Sequence, residues 1–132
     1  MSYATILDLR TKLLKNSTLT GYVPSNNIQL GWLREDAEFP TITITQAGGT
    51  DVGQLGYNPA PGGSKLAKET VSYQLDLYSK TSVKNILDMY DTLKGIMISS
   101  SYEKISDVDM YEPDLKAHRK ITIWRKIYYH ED

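Results

Sequence analysis

At 132 residues the chain is long enough to bury a real core and fits a single domain. It has no cysteine, which excludes disulfides and thiolate metal sites, and a formal net charge of −1 with acids and bases mixed along the chain argues against a general nucleic-acid surface. No apolar run approaches the length that crosses a bilayer, so no membrane contact is expected. The first residues lack the basic and long apolar regions of a signal peptide, which makes cytosolic synthesis the simplest expectation.

The first element expected is a helix over residues 3–15, with Ile6, Leu9 and Leu13 on one stripe and Ser2 as its cap. Asn16, Ser17, Thr20, Gly21 and Pro24 then read as a loop. Ile28, Leu30 and Trp32 alternate with Gln29 and Gly31 and predict a short strand. After a charged turn at 34–38, Phe39-Pro40 opens a clear strand, Thr41-Ile42-Thr43-Ile44-Thr45, whose isoleucines should face inward and whose threonines should face outward.

Residues 48–67 show no periodicity and are crowded with glycine and proline. A stretch of about twenty residues is too long for a hairpin turn and reads as an arm that orders against another subunit. Leu55, Tyr57 and Leu66 are apolar groups within it that have no evident internal home.

Residues 69–98 organise the rest. Val71, Tyr73, Leu75 and Leu77 alternate with polar residues, as on a strand with one covered face. Then the period changes: Val83, Ile86, Leu87, Tyr90, Leu93 and Met97 share one side of a helix that Thr81 or Ser82 can cap. A weaker strand follows over 103–111, with Val108 and Met110 on one face and Asp107 and Asp109 on the other, as on an exposed edge. The last strand, 120–129, is expected to place Ile121, Ile123 and Ile127 on the core face and Thr122, Trp124, Lys126 and Tyr128 on the other, although Arg125 interrupts the apolar side.

These elements predict a single α+β domain over 1–132. It is an antiparallel sheet of four to five strands with two helices on one face and a long protruding Gly/Pro-rich loop. The opposite face should carry Thr41, Thr43, Thr45, Ser72, Gln74, Trp124, Lys126 and Tyr128, a mix suited to a subunit interface or a pore-facing wall. Ten tyrosines against one phenylalanine read first as ordinary sheet-face residues, and they also suit surfaces half covered by a partner.

Reactive constellations are absent from the pattern. His118 and His130 have no metal-binding spacing, and a charged tail at 130–132 is ordinarily solvated. Gly62-Gly63-Ser64-Lys65 has Ser and Lys in the wrong order for a phosphate loop and precedes a strand. No Gly-x-Ser-x-Gly elbow occurs, and the carboxylate pairs lie in stretches that read as exposed. No catalytic residue, metal or cofactor is expected.

The N-terminal helix, the Phe39-Pro40 entry into Thr41–Ile44, the long Gly/Pro loop, the segment from Val71 to Lys80 with its following helix, and the closing basic-aromatic strand from Arg119 to Tyr129 together resemble the tail terminator, or tail completion, proteins of long-tailed bacteriophages. The resemblance covers nearly the whole chain at the level of pattern. It implies a virion protein of the tail or neck that forms a hexameric ring, caps the tail-tube protein and meets the head–tail connector, with DNA passing its channel. It carries no catalytic residues. Leu55, Tyr57, Leu66, Trp124 and Tyr128 are the expected partner contacts. A head-closure connector or a tail-tube protein is the nearest alternative. A small ligand-binding module or enzyme would need a pocket of converging polar groups.

Overall fold

The computed structural model describes residues 2–51 and 66–131, with side chains described for 6–47 and 70–127. Helix α1 (Ser2–Lys15) and the short α2 (Ser17–Tyr22) precede β1 (Ile28–Leu30), β2 (Thr41–Asp51), β3 (Leu66–Ser79), α3 (Val83–Ser99), β4 (Glu103–Glu112) and β5 (Ala117–Glu131). The strands form one five-stranded mixed sheet in the order β1-β2-β3-β5-β4. The fold is α+β, as the pattern predicts.

Each helix forms for a local reason. In α1, Leu9 and Leu13 are buried. In α2, the Asn16 side chain accepts from the Leu19 N–H at 2.9 Å, and Leu19 is fully buried. Serine, threonine and glycine hid this helix in the sequence, because they are poor helix formers and only the cap and one leucine hold it. In α3, Ser82 Oγ accepts from the Asn85 N–H at 3.1 Å, as expected of the cap. Its buried stripe is Ile86, Met89, Tyr90, Leu93, Ile96 and Met97, whereas Val83 and Leu87, expected in the stripe, are exposed.

Two features of the sheet differ from expectation. β1 pairs parallel to β2, with Ile28 opposite Ile42 and Leu30 opposite Ile44. The segment 31–40 makes this possible, because it runs back along the sheet before β2 begins. The second difference is length. Pairing of β2 with β3 continues past a bulge at Gln46/Gly48 to Asp51 opposite Glu69, and β3 pairs with β5 from Ser79 opposite His118 to Leu66 opposite Glu131. Residues 48–51 and 66–67, expected in the arm, are therefore paired strand, since backbone pairing tolerates Gly48 and Gly49 where side-chain periodicity fails. Residues 52–65 lie outside the described residues.

The core sits between the sheet and the helices. Ile42, Ile44, Val71, Tyr73, Leu75 and Leu77 supply the sheet side, and Leu9, Leu13, Leu19, Met89, Leu93 and Met97 supply the helix side. The threonines Thr41 and Thr43 are also buried, on the opposite face, where outward exposure was expected. There the turn before β2 covers them: Thr41 Oγ1 donates to the Glu38 carbonyl, and Phe39 packs edge-on against Tyr78 with ring centroids 6.1 Å apart.

Strand β5 corrects the expected face assignment. Tyr73 pairs with Trp124 and Leu75 with Thr122, which turns Lys120, Thr122, Trp124 and Lys126 toward the helices. Trp124 is fully buried and donates from Nε1 to Thr122 Oγ1 at 2.9 Å, and Thr122 donates in turn to the Leu75 carbonyl at 2.8 Å. Ile121, Ile123 and Ile127 face away from the helices. One indole with a satisfied N–H fills the core better than the branched isoleucines can from that register.

Candidate interaction surface

The helix-free face of the sheet is the surface that most needs explanation. Ile121 pairs with Asp76 on one side and Val108 on the other, and Met110 pairs with Arg119. These residues therefore share a face with Gln74 and Tyr78. Val108 is 53% exposed, and Met110 and Ile127 are also exposed. Ile121 and Ile123 are half-buried between them. β4 is the outer strand of the sheet, and among the described residues its far backbone edge is unpaired and borders the same apolar strip. An exposed apolar sheet face beside an open edge is the usual mark of a surface that a protein partner covers.

A buried polar network anchors one end of this face. Asp76, almost fully buried, accepts from Arg119 Nε at 3.1 Å and from Arg119 Nη2. Gln74 Nε2 donates to its other oxygen at 3.0 Å, and the Tyr78 hydroxyl donates to Oδ2 at 3.4 Å. Arg119 Nη1 also donates to Glu112 at 2.7 Å, tying β5 to β4. Burial and the Asp76 carboxylate both hold the Tyr78 phenol above its ordinary pKa, against a smaller opposing pull from Arg119. Both oxygens of this carboxylate thus accept from the chain's own donors, which ties β3 to β5 and, through Glu112, to β4.

On the helix side, Lys104 donates to Tyr90 and to Asp107, and Asp107 lies below its usual carboxylate range because of that bond. Lys120 donates to Asp109 at 3.0 Å and sits over the Tyr90 ring. The acidic residues of β4 are therefore neutralised within the chain. Among the described residues no group of three or more His, Asp or Glu side chains could hold a metal ion.

The expected partner contacts are placed unevenly. Trp124 is in the core and not on the sheet surface. Leu66 lies in β3 opposite Glu131 and Tyr128 in β5 opposite Glu69, so the paired strands bring them to the same end of the sheet, although their side chains are outside the described set. Leu55 and Tyr57 lie outside the described residues. The surface residues the pattern missed are Ile121, Ile123, Ile127 and, after β1, the exposed Trp32. Arg125 was the available signal: a charged residue amid the isoleucines marks their face as the outer one.

No family model matches the chain, and no curated protein matches it. Among solved structures, a chain of the "Virion of native gene transfer agent (GTA) particle" matches with a TM-score of 0.67 at 4% identity, over 92% of this chain and 92% of that one. The two chains share a fold. That correspondence spans almost all of both, so it includes the sheet and the helices packed on it.

Proposed function

We propose that this chain is a structural protein of a phage-like virion, of the tail-terminator type, whose copies form a ring that caps the tail tube and meets the head connector. The observation that carries the reading is the helix-free sheet face, with Val108, Met110 and Ile127 exposed beside the open edge of β4, on a fold shared with a chain of a virion particle. Such a face is suited to being covered by protein, and the paired ends of β2 and β3 lead into the Gly/Pro-rich segment 52–65, which would extend the contact onto a neighbour. The function is then one of fit, with no reaction centre.

The test is tube growth. Added to growing tail tubes of its own particle, the wild-type chain should fix their length, as read by negative-stain imaging. The Val108→Glu/Ile127→Glu variant should stay folded, since both side chains already meet water, and should leave growth unchecked. Tubes of unaltered length distribution with the wild type would contradict the reading. Cylinders grown from the chain alone would favour a tail-tube protein.

A further inference from the structure

The turn between β1 and β2 carries an independent feature. Trp32 is 78% exposed, more than any other large apolar side chain among the described residues. Glu35, Asp36 and Glu38, all exposed, follow it, against one base, Arg34. A solitary indole held in water beside three carboxylates is costly unless something covers it, and tryptophan is the side chain that most often dominates a protein–protein contact.

A complementary surface exists elsewhere on the same chain. Between α1 and β5 lies a cleft of about 290 Å3 lined by Leu9, Thr11, Lys12, Lys15, Tyr102 and Lys126, with Asp8 as its one acid among the described residues. The Lys126 ammonium lies 5.3 Å from the centre of the Tyr102 ring. Burial, and then the nearby Lys12, push the Lys126 pKa down, so the cleft holds like charges that an incoming carboxylate would relieve. Ammonium groups around an apolar floor also suit the face of an indole.

We propose that Trp32 and the acidic turn 35–38 of one copy seat in the cleft formed by Lys12, Lys15, Tyr102 and Lys126 of a second copy. The two patches differ and sit on different elements, so the contact is head-to-tail, the kind that closes a ring when the rotation between neighbours closes. The contact rests on the ring reading and gives that ring its neighbour-to-neighbour chemistry.

The experiment uses the full chain, with native mass spectrometry for assembly and tryptophan emission for the contact. Trp32→Ala should weaken association by about 30-fold or more and leave the thermal melt of the dilute, unassembled chain in place, because the residue is exposed there. Glu35→Lys/Asp36→Lys and Lys12→Glu/Lys15→Glu should each stay monomeric alone, and an equal mixture of the two should restore rings of alternating copies. Because Trp124 is fully buried, iodide quenching reports on Trp32 alone, and it should fall when wild-type rings form. If wild-type rings form but all three variants also form them, or the mixture fails to restore them, the contact lies elsewhere and the ring reading stands. If the wild type forms no ring, the ring reading falls and this contact with it.

Discussion

Replacing Arg119 with Gln should cost about 3 kcal/mol of stability, measured by urea unfolding. Asp76 is buried between β3 and β5, and Arg119 supplies two of its hydrogen bonds. Removing the guanidinium leaves an ionised carboxylate in a site with little water, where only Gln74 and Tyr78 still donate to it. The tie from β5 to Glu112 on β4 goes at the same time. The double variant Arg119→Gln/Asp76→Asn should be more stable than the sum of the single changes allows, by about 1–3 kcal/mol, because the uncompensated charge has gone. A single-variant midpoint within about 0.5 kcal/mol of wild type, the range of an ordinary surface change, would show that the network is ornamental.

Trp124→Ala should be at least as severe, at about 3–5 kcal/mol. The indole is fully buried between Tyr73 on β3 and the helix layer, and its loss opens a large cavity while leaving Thr122 Oγ1 without its donor. Set against a total stability of about 5–15 kcal/mol, that loss should lower the thermal midpoint by about 6 °C or more, using roughly 2–8 °C per kcal/mol for domains in this size range. Trp124→Phe, which keeps much of the volume and gives up the hydrogen bond, should fall between. The contrast with Trp32 is the useful check. The same residue type truncated on the exposed turn should barely move the melt of the dilute, unassembled chain. If Trp124→Ala unfolds at the wild-type midpoint, the indole is not in the core and the face assignment of β5 is inverted once more.

Much of this fold is legible in the sequence. The change of period near Ser82 predicts β3, the cap and α3 at nearly their observed bounds, because strand and helix spacing are set by the chain's own geometry. Ile42 and Ile44 predict the inner face of β2 for the same reason. What was not legible depended on neighbours. The parallel pairing of β1 is decided by how 31–40 crosses back, which no local pattern records. The inner face of β5 is decided by register against Tyr73 and Leu75, and three isoleucines outvoted one tryptophan when the strand was read alone. The extended ends of β2 and β3 hold through backbone pairing, to which Gly48 and Gly49 give no side-chain signal. The face opposite the helices was expected to carry Ser72 and Gln74 together with Trp124 and Lys126 of β5, whereas the register places Ile121, Ile123 and Arg125 there.

The central claim is that copies of this chain close into a ring, and the mass of the assembled wild-type protein tests it most directly. Native mass spectrometry with negative-stain imaging, across a range of concentrations, should give one discrete species of six copies seen as annuli. Monomers at every concentration, or cylinders without a fixed length, would contradict the account.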